Sequence, residues 1–175
     1  MSYLRSVESR GTSNYGFRKF ISEYLINKFS SASRILDAGP GIGTYYYILN
    51  HYFQSIDCVE IHKPYIDRYN LKNKYSNVYN CDVLELDVSK YDIIIMGDVL
   101  EHLPVIESQN LIKNIIEKCK EVIVVVPWEY RQGIIDGNTH EVHEQDDLTK
   151  DIMKIRFPNL VCVEENSVGG VFVIC

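Results

Sequence analysis

The residues that could do chemistry begin with Asp37-Ala38-Gly39-Pro40-Gly41-Ile42-Gly43-Thr44, set between an apolar run at 34–39 and a helical pattern from about 43. Glycines at a strand-to-helix turn let the backbone approach a ligand and take dihedrals closed to other residues, while the helix start supplies free amide hydrogens. Glu60 ends the next apolar run, about twenty residues on, where a carboxylate accepts hydrogen bonds from ribose hydroxyls. Loop and acid together read as a nucleotide-binding turn; Glu60 as a mere strand cap is the plainer alternative. A second group lies farther along, at Asp98 to His102, Trp128 to Arg131, and His140 to His143 within GNTHEVHEQDD. A histidine is the natural proton acceptor near neutral pH, so His143, His140 and His102 are candidates for handling a substrate's proton.

Two ligand classes use such a turn, and the spacing separates them. A dinucleotide fingerprint places its third glycine three positions after the second, at Thr44, whereas Gly43 gives G-x-G-x-G. Asp37, directly before the loop, also sets a negative charge where a dinucleotide would bring its pyrophosphate. A ligand with an ammonium and a sulfonium group, such as S-adenosylmethionine, would gain from that charge. NAD is disfavoured.

The elements that must position these groups follow from periodicity. Phe17, Phe20, Ile21, Tyr24, Leu25 and Phe29 recur at three- and four-residue steps, which predicts a helix over 14–29 with Asn14 as N-cap. Residues 1–13 are polar and aperiodic and read as a flexible arm. Short apolar runs at 34–39, 55–61, 77–82, 91–98 and 121–128 then alternate with helical stretches at about 43–53, 63–74 and 104–120. Runs such as Ile93–Met96 and Val122–Val126 are apolar at every position, the mark of strands covered on both faces in a parallel sheet. The alternation implies βαβ units and an α/β, doubly wound sheet with helices on both faces. A helix near 146–155 precedes NLVCVEENS and GGVFVIC, whose short join forces an antiparallel hairpin. Residues 14–175 thus form a single domain, with the core at 34–175.

Composition sets the outer bounds. A chain of 175 residues, 46% hydrophobic and 24% charged, carries one full core and leaves no room for a separate substrate domain. A formal charge of −6 without any basic tract disfavours clamping of a nucleic-acid backbone. Five cysteines, an odd number without Cys-x-x-Cys spacing, argue against a disulfide framework and for a reducing compartment. No segment has the apolar length of a signal peptide or a membrane span, so the protein is expected in the cytoplasm, away from membranes.

In combination these motifs resemble the class I, seven-strand, Rossmann-like S-adenosylmethionine-dependent methyltransferases, over about residues 34–175. LDAGPGIG is similar to the family's first motif, with Asp37, Gly39, Pro40, Gly41 and Gly43 around the cofactor. Glu60 and Ile61 match the acid that holds the ribose and its neighbour. Asp82 and Val83 match the third strand's end, where an Asp bonds the adenine amino group and the next residue packs on the ring. YDIIIMGDVLEHL resembles the fourth strand and its exit loop, with Asp98 at the crevice. The resemblance implies strand order 3-2-1-4-5-7-6 with the last strand antiparallel, S-adenosylmethionine as cofactor, and S-adenosylhomocysteine (SAH) as product. It also implies that Tyr15 closes over the cofactor's methionine end.

The implied activity is methyl transfer to an O or N nucleophile of a small or medium acceptor. With only about 30 residues before the first strand and a short stretch after the fifth, larger acceptors would need an open face, a partner subunit or a homo-oligomer. Rival readings are a noncatalytic S-adenosylmethionine-binding or scaffold subunit, and an RNA methyltransferase, metal-assisted or not. A nicotinamide oxidoreductase ranks last. Asp98, Glu101 and His102, with His140 or His143, could gather round a divalent ion, and small-RNA 2′-O-methyltransferases use a resembling Glu-x-x-Glu-His pattern. This chain departs by Asp98 at the first place, and the same string occurs in metal-free relatives, so a metal-free histidine base is expected. Trp128 is either a core plug or a pocket wall, and Tyr45, Tyr46 and Tyr47 are read as helix packing.

Overall fold

A seven-stranded sheet in the order 3-2-1-4-5-7-6 organises the chain. The computed structural model describes residues 15–174, with the side chain of Tyr15 left out; the arm at 1–13 and the expected cap Asn14 lie outside the described residues. Strands β1 (Arg34–Ala38), β2 (Ser55–Val59), β3 (Val78–Tyr79), β4 (Ile93–Gly97) and β5 (Glu121–Pro127) run parallel. β6 (Leu160–Asn166) and β7 (Gly169–Ile174) form the hairpin, and β7 inserts antiparallel between β5 and β6.

Strand side chains alternate between two cores, as a period of two requires. Ile35, Ile93, Ile95, Ile123 and Val125 face one side, where α1 (Arg18–Lys28), α2 (Thr44–Leu49) and α3 (Lys63–Arg68) pack. Leu36, Ile94, Met96, Val122 and Val124 face the other, against α4 (Val105–Ile116) and α5 (Lys150–Arg156). The expected N-terminal stripe is real: Phe17, Ile21 and Leu25 are buried, each worth roughly 1.5–3 kcal/mol of transfer free energy. The lower end of α1 is held by charge, since Tyr24 (2.7 Å) and Lys28 both donate to the buried Glu121 at the start of β5.

Three expectations on the elements need correction. Strand and helix do not alternate strictly, because β3 and β4 are joined with only a 3-10 turn at Val83–Glu85. The run at 77–82 forms a strand of two residues, and Cys81 and Asp82 lie beyond its end because Asn80 turns back to donate to the carbonyls of Glu60 and Ile61. The helical stretch 63–74 breaks after Arg68, where Asn70 takes a left-handed φ of 53° and a separate 3-10 turn follows at Leu71–Asn73. The remaining differences are of length: α2 stops at Leu49, α4 at Ile116, and α5 starts at Lys150, capped by Thr149 (3.1 Å to the Ile152 amide).

Candidate active site

The sheet delivers the glycine loop, Glu60, Asp82 and Asp98 to one edge, the carboxyl ends of β1 to β4. Gly39 leaves β1 by donating to the Val59 carbonyl (2.9 Å), which pins the loop across the top of β2. Gly39, Gly41 and Gly43 all hold left-handed φ (61°, 50° and 87°), so the loop coils tightly before α2 begins at Thr44. A Cβ on Gly39 would stand 2.6 Å from Val99 Cγ2. Gly39→Ala therefore combines a clash with backbone strain of about 1–2 kcal/mol, and should lower the melting temperature by several degrees and narrow the crevice. A thermal melt of the variant checks this.

Above the loop opens a cleft of about 760 Å³. Gly39, Gly41, Glu60, Ile61, Asp82, Val83 and Asp98 line it, as do His102, His140 and His143. Asp37, Pro40 and Gly43 do not reach its wall. Asp37 is fully buried beneath the loop, with the Tyr75 hydroxyl donating to Oδ2 (2.5 Å) and no partner for Oδ1. Burial raises its carboxyl to about 7, against the Tyr75 hydrogen bond, with Glu60 adding a like charge. Tyr15 opens the 3-10 turn before α1, and its side chain lies outside the described residues.

Glu60 is 5% exposed and accepts the His62 amide at Oε1 (2.8 Å). Burial lifts it to about 7, opposed by the His62 and Gly41 amides and helped by Glu141 across the cleft. Asp82 commits Oδ1 to the Leu84 amide (2.9 Å), capping the 3-10 turn while the residue lines the cleft. Asp98 takes a left-handed φ of 55° directly after β4, a conformation Asp tolerates better than most residues.

The segment 128–148 crosses the open side like a strap. Trp128 directly follows β5, half-buried, donating Nε1–H to the Asn166 carbonyl (3.1 Å), stacking edge-on to Phe172 and lining the cleft; it is wall and packing at once. Gln145, buried, donates to the carbonyls of Leu100 (3.0 Å) and Leu103 (2.9 Å), while the Glu101 carbonyl accepts the amides of Glu144 and Gln145. At the far end Asp136 pairs with Arg68 of α3 (3.1 Å). The open side of the cleft is thus walled by residues of this chain.

Under the strap sit three imidazoles and a carboxylate. His102 Nδ1 lies 3.1 Å from the Val142 carbonyl and His143 Nδ1 2.6 Å from the Tyr130 carbonyl. A carbonyl only accepts, so both Nδ1 atoms carry hydrogen and both Nε2 atoms carry the lone pair. Burial lowers the pKa of both rings, with the Val142 and Tyr130 carbonyls opposing it. Glu101 is fully buried with neither carboxylate oxygen partnered among the described residues, and burial beside Asp98 and Glu141 pushes it well above the usual carboxylate range. Sequence reasoning missed Asn80, Glu101's isolation and Gln145; the polar residues amid apolar neighbours were the only trace they left.

Residues 36–123 match the methyltransferase domain family. The chain belongs to that family. Its fold is similar to an S-adenosylmethionine-dependent methyltransferase from Clostridium acetobutylicum ATCC 824 (TM-score 0.69, 12% identity, covering 90% of this chain and 89% of that one). It is similar also to magnesium protoporphyrin IX methyltransferase from Synechocystis PCC 6803 with SAH bound (0.66, 13%, 89% and 80%). A third likeness is to the N-terminal domain of EvdMO1 with SAH bound (0.66, 16%, 93% and 82%). No curated protein sequence matches the chain. In this methyltransferase no helix among the described residues is long and apolar enough to cross a membrane.

Proposed function

We propose that the protein transfers a methyl group from S-adenosylmethionine to an O or N nucleophile of a small or medium acceptor held under the strap. The observation that carries this reading is the placement of Gly39, Gly41, Glu60, Asp82 and Asp98 on one wall of a single cleft, with three imidazoles on the other. The residues fit the donor: among the described residues Asp37 keeps a buried oxygen without a partner below the loop, and Gly39, Gly41, Glu60 and Asp82 all reach the cleft wall. When bound, S-adenosylmethionine supplies an electrophilic methyl carbon, whose bond to sulfur breaks with the electron pair remaining on sulfur as the acceptor's lone pair forms the new bond, leaving SAH.

Everything else falls to the chain. Glu60 would accept the ribose hydroxyls, Asp82 the adenine amino group, and Ile61 and Val83 would flank the ring. Asp98 and Asp37, with the backbone of Pro40 and Gly43 shaping the turn, would offset the donor's positive charge. Methyl transfer asks mainly for proximity and for a place to put the acceptor's proton. The lone pairs of His102, His140 and His143 serve the acceptor end. Glu60, Asp82, Asp98, Glu101, Glu129 and Glu141 line the cleft with no Lys or Arg among the described residues, which favours neutral or cationic acceptors over phosphates and nucleic acid.

Titration calorimetry tests the reading. S-adenosylmethionine and SAH should bind with one site per chain and NAD should not; NAD binding more tightly than the methyl donor overturns it.

A further inference from the structure

Glu101, His102 and His143 present one ligand atom each within 4.8 Å of one another. They come from the turn after β4 and from the strap, which are fastened to each other by Gln145, by the Glu101 carbonyl and by the His102–Val142 hydrogen bond. We infer that these three side chains form a binding site for a divalent transition-metal cation at the acceptor end of the cleft. The expectation of a metal-free site is thereby replaced for two of the three histidines, and His140 keeps the role of proton acceptor.

Two independent features point to a ligand. The first is Glu101: a fully buried carboxylate with no partner on either oxygen is costly, and a cation provides the missing charge. The second is the outer hydrogen bonding of the rings. Metal-bound histidines characteristically donate their other ring N–H to a carbonyl or carboxylate, which fixes the tautomer and aims the lone pair. His102 does so to Val142 and His143 to Tyr130, and the two rings meet edge to face at 4.6 Å between centroids. Ligands on a tetrahedral ion with bonds of 2.0–2.2 Å stand roughly 3.3–3.6 Å apart, so closure takes side-chain rotation on the order of 1 Å.

The donor set selects the ion. Two imidazoles and one carboxylate suit Zn²⁺, Co²⁺ or Mn²⁺ better than Mg²⁺ or Ca²⁺, which take oxygen ligands. Three protein ligands leave an open position, the pattern of a reactive rather than a structural site. Facing the cleft, that position would take the acceptor's oxygen or nitrogen and ease loss of its proton. The cation site stands on the side chains alone; its use on the acceptor rests on the methyl-transfer reading.

The test is metal binding by the full chain, stripped with chelator and titrated with Zn²⁺, Mn²⁺ and Mg²⁺ in a calorimeter, with Co²⁺ as a spectroscopic probe. Expected is one equivalent of Zn²⁺, a weaker Mg²⁺ response, and a visible Co²⁺ spectrum of low coordination number. Glu101→Gln and His143→Ala should each weaken Zn²⁺ at least tenfold, while His140→Ala leaves it unchanged; outer-ligand changes elsewhere cost 10- to 100-fold. No Zn²⁺ binding, or equal affinity in parent, Glu101→Gln and His143→Ala, overturns the site. Donor binding measured on the same stripped protein keeps the two readings apart: donor bound without metal defeats the cation site only, and metal bound without donor defeats methyl transfer only.

Discussion

Glu60→Ala should bind S-adenosylmethionine about ten- to a hundredfold less tightly than the parent, because hydrogen bonds to a charged group contribute about 1.5–3 kcal/mol. The fold should survive the change. Glu60 is buried and raised to about 7 because burial disfavours its charge, so removing the carboxylate relieves a desolvation cost and does not break an ion pair. The raised value fixes the sign of the pH dependence. With folded values of about 7 for Glu60 and Asp37 above unfolded values near 4, their contribution to stability is present below about pH 4 and is lost as pH rises through 7. Donor binding runs the other way, since ribose hydroxyls and positive charge favour the ionised carboxylates. The empty protein should therefore melt lower at pH 8 than at pH 6 while the donor binds more tightly, and Glu60→Ala should flatten part of both trends. Parent-like affinity in folded Glu60→Ala would make this residue a strand cap and no more.

His143→Ala should lower methyl transfer about a hundredfold or more while donor affinity stays near the parent value, because the ring lines the cleft from the strap, the side proposed above for the acceptor, and not from the glycine loop. Transfer of a labelled methyl group to a panel of small phenols and amines reads the first quantity and calorimetry the second. Full activity of the double variant His140→Ala, His143→Ala would remove the strap histidines from the chemistry, whether as bases or as metal ligands.

The two cores were legible in the sequence because burial on both faces leaves no polar position in Ile93–Met96 or Val122–Val126; the hairpin's short join gave the antiparallel pair, and the strand order came from the family resemblance. That Gly39, Glu60 and Asp82 line one cleft was legible for a local reason: Gly39 and Glu60 directly follow β1 and β2, and Asp82 lies three residues past β3. Legibility failed where long-range contacts decide. Asp37 leads the glycine loop in sequence yet faces Tyr75 under it, 38 residues away. Glu101 lies in a string that reads as the exit loop of the fourth strand, and its burial goes with a strap that folds back from 44 residues later, where the Gln145 amide donates to the Glu101 carbonyl. No period or spacing announces such a contact.

The insertion of β7 between β5 and β6 sets an order on assembly. Of the seven strands β7 leaves the ribosome last, and until it does β5 carries a bare edge of Val122 to Val126 and β6 has no neighbour at all. An apolar edge of that kind is a template for pairing with other chains. The nascent domain thus exposes that apolar edge until β7 is added, while the cleft wall formed by β1 to β4 can already be in place.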